Sequence, residues 1–180
     1  MNRSNEGKPV GGQRGPKGEA HYRGLERMYL TAPVNRFFNP SIKVSYGESE
    51  VEMEVKSDFY HAAGALHGSI LFKMLDDSAY FAVNSIVSEV CVLTASMNVY
   101  FLRPVKDGIL KAKGRVIQPS RRLFLAESEV RNANGRVVAK GSGHFAKSKI
   151  PLRNCPGYGE KQGLCAPATC AGKPQGLNFP

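Results

Sequence analysis

His67-Gly-Ser-Ile-Leu-Phe-Lys-Met-Leu-Asp76-Asp77-Ser-Ala-Tyr-Phe-Ala-Val-Asn-Ser85 is the stretch whose reading decides the fold. From Ser69 to about Ser85 it predicts a helix, and Ile70, Leu71, Phe72, Met74, Leu75, Ala79, Tyr80, Phe81, Ala82 and Val83 leave that helix apolar on nearly every face. A helix of this kind has to be enclosed. Two acids interrupt it, and a carboxylate taken out of water is costly unless it is paired or put to use. Asp77 has Lys73 four residues before it, the weaker order for a helical ion pair but a partner nonetheless. Asp76 has Phe72 and Tyr80 at i±4 and Ala79 at i+3, with Lys73 at i−3 as its charged neighbour. One lysine hardly serves both, so spacing alone leaves Asp76 open between a structural and a functional role.

The loop before the helix, His61-Ala-Ala-Gly64-Ala-Leu-His67-Gly68, is built of small residues between two histidines. A glycine at the start of a helix lets a ligand approach free backbone N–H groups, where the helix dipole favours negative charge. That is suitable geometry for an oxyanion hole. The plainer alternative is that Gly68 only permits a tight loop. His61, His67 and Asp76 match no metal-ligand spacing, so no metal is expected, and one of the histidines is read as donating a hydrogen bond to the substrate or to the loop backbone. His144 reads as a structural residue.

Strands surround the helix in the sequence. Before it, Val51, Met53 and Val55 alternate with Glu50, Glu52, Glu54 and Lys56, the period of a half-buried strand. After it come Cys91–Arg103, Ile109–Ile117, Leu123–Arg131 and Arg136–Ala146, with a turn at Pro104–Gly108 and a hairpin signal at Asn134-Gly135. Strict alternation in the first of these puts Leu93, Ala95, Met97, Val99 and Phe101 on one face and Thr94, Ser96, Asn98 and Tyr100 on the other. The physical solution is an α+β domain, a curved antiparallel sheet wrapped round one helix. One small sheet does not cover such a helix completely, so a second protomer is expected.

The ends read differently. Residues 1–20 are rich in Gly, Pro and charge and are expected to be a disordered basic tail. Tyr22 to Leu30 predicts a short amphipathic helix ending before Pro33, and residues 21–150 make up the domain. Beyond Pro151 the periodicity stops, and 151–180 reads as an irregular tail. The net charge of +10 is concentrated at these ends: five Lys/Arg against two Glu from Met1 to Arg23, and four against one from Ser148 onward. No groove-entering motif accompanies the charge, so no specific nucleic acid is expected. The four cysteines form no C-x-x-C pair, and indicate neither a zinc site nor a disulfide framework. No apolar run is long enough to span a bilayer, and the N-terminus lacks the apolar centre of a signal peptide, which makes a cytoplasmic setting without membrane contact the expectation.

His61-Ala-Ala-Gly64-Ala-Leu-His67-Gly68 followed by Leu75-Asp76-Asp77-Ser78-Ala79 resembles the signature of hotdog-fold acyl-CoA thioesterases of the phenylacetate-pathway (PaaI) type. Thr94-Ala-Ser96-Met97-Asn98, Phe101-Leu-Arg103-Pro104 and Ala139-Lys-Gly141-Ser-Gly143-His-Phe145 match the later strands of the same family. The resemblance spans about residues 40–150. It implies a hotdog fold, a homodimer or pair of dimers, and hydrolysis of an acyl-CoA without any cofactor, CoA being part of the substrate. By position it implies that the Gly68 N–H holds the thioester carbonyl oxygen, that Asp76 of the other protomer is general base or nucleophile, and that Thr94 helps to place the water. His61 stands where many members carry an Asn that orients the loop or thioester, and Ser96 where an acid is common. His67 and Gly64 fall in the same loop as substrate-binding candidates. Arg103, Arg121 and Arg122 are candidates for the phosphates of CoA, with solvated turn arginines the alternative for each. A non-catalytic acyl-CoA binding or sensing domain is the competing reading of the same pocket.

Overall fold

The computed structural model describes residues 16–159. Six strands form one antiparallel sheet in the order β1-β2-β4-β5-β6-β3. They are β1 (Ser41–Ser45), β2 (Glu48–Glu54), β3 (Val90–Phe101), β4 (Ile109–Gln118), β5 (Leu123–Arg131) and β6 (Val137–Pro151). The enclosed helix, α3 (Gly68–Asn84), lies across the inner face and touches all six. Leu75, Ala79, Ala82 and Val83 on it are fully buried. It packs tightly against Gly114 of β4, where a Cβ would fall 2.2 Å from the Ser78 carbonyl oxygen. The same oxygen accepts a hydrogen bond from Ser49 Oγ at 2.6 Å. Glycine there is a packing requirement: any side chain would lift the helix off the strand.

The Glu and Lys residues that alternate with the core positions meet in cross-strand rows on the outer face. Lys43, Glu50, Lys113, Glu129 and Lys140 stand in register across five strands. Lys111–Glu52, Lys113–Glu48, Arg115–Glu127 and Lys140–Glu129 are ion-paired. Opposite charges directly across a ladder favour the register, so this face is solvated and self-compensating.

The expected alternation in β3 fails at one point, and the failure matters. Thr94 pairs with Phe145 and Ser96 with His144, so Ala95 is an extra residue, a bulge. Before it Val92 is buried and Thr94, paired with the buried Phe145, reaches Asp76 on the helix; after it Met97 and Val99 pack on the core. Parity flips at the bulge, and Thr94 shares the helix side with Met97, contrary to the strict reading.

Two further differences lie at the ends. Helix α1 runs Pro16–Thr31, so residues 16–20, expected to be disordered, are helical. Proline is suited to the first helical position, and tertiary contacts hold the rest. Leu25 and Tyr29 are buried, Glu26 Oε1 accepts the Val44 N–H at 2.8 Å, and a His21 ring nitrogen pairs with the Asn84 carbonyl oxygen at 2.9 Å. The remainder of the basic N-terminal segment lies outside the described residues. A four-residue helix, α2 (Asn35–Phe38), and strand β1 follow, neither of which the sequence reading assigned. At the other end β6 extends to Pro151, after which the chain is irregular yet packed: Leu152 is buried, and the Tyr158 hydroxyl lies 2.6 Å from His21 Nδ1. This brings Cys155 beside Cys91, with the sulfurs 2.6 Å apart and both thiols free. Burial pushes the Cys91 thiol up to about 12. Cys165 and Cys170 lie outside the described residues. Among the described residues no helix is long and apolar enough to cross a membrane.

Candidate active site

Asp76 and Asp77 leave α3 in different directions. Asp77 points toward α1, where the Tyr29 hydroxyl donates to its Oδ2 at 2.8 Å and Lys73 forms an ion pair with it. The Lys73 ammonium also sits 5.2 Å from the ring centroids of Tyr29 and Phe38, a favourable place for a cation. Lys73 therefore belongs to Asp77. Burial nevertheless outweighs these partners, and the Asp77 carboxyl is raised above its ordinary range.

Asp76 points toward β3. Thr94 Oγ1 donates to its Oδ1 at 2.8 Å, and the bulge at Ala95 brings the hydroxyl to that side. Burial raises the Asp76 carboxyl; the Thr94 hydrogen bond opposes this, the nearby Asp77 adds to it, and Lys73 opposes it. The result is a carboxyl with a raised proton affinity and one hydrogen bond, at the side of an edge strand. Such a group can take up and return a proton.

The loop before α3 is shaped by short-range bonds. Tyr60 and Leu66 form a bridge that pinches it, and Gly64 takes φ 75°, a left-handed conformation natural to glycine. His61 Nδ1 accepts the Ala63 N–H at 3.1 Å, and His67 caps α3 by accepting the Ser69 N–H at 3.1 Å. The two rings face each other at 6.4 Å, edge to face, and both residues are exposed. Gly68 is the first helical residue, and its N–H is among the donors that a helix leaves without an internal acceptor. A Cβ at Gly68 would come 3.2 Å from Phe101 Cζ, so Phe101 closes over the helix start.

Gly68 and Asp76 are eight residues apart on one straight helix, about 12 Å by the helical rise. One carbonyl group does not reach both. The arginines are likewise divided. Arg103 Nη1 donates to the Val137 carbonyl oxygen at 2.5 Å, at the Phe101 end of β3. Arg121 and Arg122 are in the β4–β5 turn, at the opposite end of the sheet. Ser96 Oγ lies 3.2 Å from His144 Nδ1 on the outer face, away from Asp76. A groove of about 480 Å³ is found there as well, lined by Tyr100, Lys113, Arg115, Glu129 and Lys140 among others. Its walls are the ion-paired rows, and Tyr100 is the one large hydrophobic side chain among its lining residues, unlike the hydrophobic side chains that predominate in ligand pockets. Among the described residues no cluster of three or more His, Cys, Asp or Glu is placed to hold a metal.

A profile of the thioesterase superfamily matches residues 63–139, from the histidine loop into β6. A protein of Sulfurisphaera tokodaii described as "Putative esterase" is 31% identical over 102 residues, 56% of this chain and 75% of its own length. The chain belongs to the thioesterase superfamily. A relative in Saccharolobus solfataricus with the same description is 26% identical over 114 residues, 62% of this chain and 81% of that one. A conserved protein of Pseudomonas aeruginosa superposes with a TM-score of 0.63 at 26% identity, covering 68% of this chain and 98% of the other. The E. coli PaaI protein of the phenylacetic acid degradation operon gives a TM-score of 0.69 at 20% identity, over 74% and 97% of the two chains. That likeness is one of fold, the hotdog arrangement of sheet around helix. Within the superfamily's matched span fall Gly64, His67, Gly68, Asp76, Thr94, Arg103, Arg121 and Arg122; His61 lies two residues before it.

Sequence reasoning missed three participants. Tyr29 completes the Asp77 environment from an element far away in sequence. Ala95 is inserted at the bulge, and Phe101 covers Gly68. The clue to the first was present, since a buried acid needs more than one partner.

Proposed function

We propose that the protein hydrolyses acyl-CoA thioesters to a free acid and CoA, at a site that two copies of the chain complete together. The observation that carries this is the pairing of Asp76 with Thr94 in a thioesterase-superfamily chain, about 12 Å from the Gly68 N–H of the same helix. β3 supports the second copy. It is a twelve-residue edge strand, and Leu93, Tyr100, Phe101 and Leu102 are exposed on or beside it. An edge of that length is a template for another strand.

In the proposed reaction the Asp76 carboxylate accepts a proton from a water molecule, whose oxygen attacks the thioester carbon. Negative charge develops on the carbonyl oxygen, held by the Gly68 N–H of the second copy, where the helix dipole reinforces the hydrogen bond. Collapse breaks the C–S bond, and the departing thiolate takes the proton from Asp76. Direct attack by Asp76 is the variant of this route, through a mixed anhydride. Thr94 orients the carboxylate. His61, Gly64 and His67 shape the loop that presents the carbonyl oxygen, and CoA enters as substrate with no further cofactor.

The test is a panel of acyl-CoAs with a thiol reagent. Thiol release by the wild type and its loss in Asp76→Asn support hydrolysis; binding without release would turn the reading to a sensing domain. Mixing Asp76→Asn with Gly68→Val, each inactive alone, should restore roughly a quarter of the activity through mixed dimers. A mixture as inactive as its components would sink the shared site.

A further inference from the structure

Two groups of charged side chains on the sheet lie outside the acid site. Those on the outer face are compensated row by row. At the end of the sheet where β5 begins and β6 finishes, Arg121, Arg122, Lys147 and Lys149 are exposed, and Arg153 follows in the next turn. Among the described residues none of these five takes part in an ion pair. An acid, Glu89, is joined to this end through its backbone, the carbonyl oxygen accepting the Leu152 N–H at 3.1 Å.

Register ties this patch to Asp76. Phe124, Phe145 and Thr94 form one inner-face row, which ends on the hydroxyl that holds the Asp76 carboxylate. The Lys147 N–H donates to the Arg122 carbonyl oxygen at 3.1 Å, and Lys147 is in register with Val92. Arg122 and Lys147 thus stand one same-face step beyond the Thr94 row, about 7 Å at the usual strand rise. Between Val92–Lys147 and Val90–Pro151 the single residue Cys91 faces Ser148–Ile150, so β6 bulges there. Bulges re-aim side chains, and this one carries Lys149.

We infer that Arg121, Arg122, Lys147 and Lys149 form the subsite for the phosphate groups of the thiol carrier, on the same protomer as the Asp76 that cleaves its thioester. The inference rests on the acyl-CoA reading and deepens it. Like charges gathered with no acid ion-paired to them among the described residues repel one another until an anion joins them, and guanidinium forks match phosphate oxygens. In CoA the pantetheine arm separates the thioester from the phosphates, and the patch likewise stands apart from the acid, with Arg122 and Lys147 about 7 Å of strand beyond the Thr94 row before their own side chains extend. Arg121 and Arg122 thereby part company with Arg103, which is engaged by β6 at the other end.

The experiment measures binding of CoA, dephospho-CoA and pantetheine by calorimetry to the full chain and to an Arg122→Gln/Lys147→Gln variant, at low and at physiological salt. The same acyl group is then offered to both proteins as its CoA and its N-acetylcysteamine thioester. The expected results are at least a tenfold weaker Kd for CoA in the variant, a smaller deficit for dephospho-CoA and none for pantetheine. KM should rise for the CoA thioester alone, with kcat on the N-acetylcysteamine thioester unchanged and the melting temperature preserved. Wild-type affinity for CoA in the variant would overturn the subsite even if hydrolysis is intact. Absence of hydrolysis of either thioester by the wild type would overturn the proposed reaction, while the binding series still decides the patch.

Discussion

Asp76 and Asp77 are neighbours in sequence, and the two sides of α3 they occupy have opposite characters. On the α1 side Asp77 is met by a phenol, an ammonium and two aromatic rings. On the β3 side Asp76 has the Thr94 hydroxyl and an edge strand whose outer neighbours are exposed. Burial raises both carboxyls, so proton affinity alone does not separate them. Partners do. A buried acid surrounded by satisfied groups is committed to structure, whereas one with a single hydrogen bond retains lone pairs for a reacting molecule.

The sharpest way to break this contrast is Asp76→Asn. Removing a general base is expected to lower kcat by about 10²–10⁴-fold, read by thiol release, while the fold persists. Stability should move the other way. An acid whose folded pKa is raised binds more protons folded than unfolded as pH climbs above the ordinary 3.8, so its contribution to stability falls through that window and stays low above it. Asp76→Asn removes that penalty, and thermal melts at neutral pH should show a variant at least as stable as the wild type. A variant that loses stability together with activity would make Asp76 structural.

Asp77→Asn is the counterpart. It leaves the Lys73 charge without its acid, and removing one partner of a buried pair costs about 3–5 kcal/mol. The two side chains here retain 18% and 19% exposure, and the substitution also lifts the burial penalty that raises this carboxyl, so a net loss of about 2 kcal/mol is expected in urea denaturation. Activity per folded molecule should change little. A loss of kcat approaching that of Asp76→Asn, in protein shown to be folded, would abolish the distinction between the two sides.

Much of this was legible in the residues, and the reasons are physical. A helix apolar on all faces and strands of period two announce enclosure and a half-buried sheet, because burial acts on every position of the element. What escaped depends on partners distant in the chain. The bulge at Ala95 exists only in the register of β3 against β6, so strict alternation put Thr94 on the wrong face. Tyr29 lies in an amphipathic stretch whose spacing does not reveal which helix it will touch. Residues 16–20 were judged by composition, which carries no information about the contacts that α1 makes further along. Cys91 and Cys155 have no motif between them and meet because the segment after β6 folds back.

Two single-hydroxyl deletions then refine the comparison. Thr94→Val removes the hydrogen bond that favours the ionised form of Asp76. Less carboxylate is available at a given pH, and the acidic limb of the pH–rate profile should move to higher pH. A loss of about 1.4 kcal/mol of transition-state stabilisation corresponds to tenfold in rate, and about that decrease is expected near the limb, shrinking as pH is raised. A pH-independent loss would show that Thr94 acts on the substrate or water and leaves the acid untouched.

Tyr29→Phe is the matched deletion on the other side and the smallest effect. It removes one hydrogen bond to Asp77 while keeping the ring that packs edge to face on Phe81 at 5.1 Å. Asp77 retains Lys73, so the loss should stay near about 1 kcal/mol, the usual net value of one hydrogen bond. Denaturant midpoints measure it. The pH–rate profile is the decisive companion, since Asp77 is a charged neighbour that raises Asp76. If Tyr29 serves only the α1 side, its removal shifts the midpoint and leaves the acidic limb where it was. A limb displaced as far as in Thr94→Val would mean that the two faces of the helix are electrostatically one site, with α1 part of the catalytic apparatus.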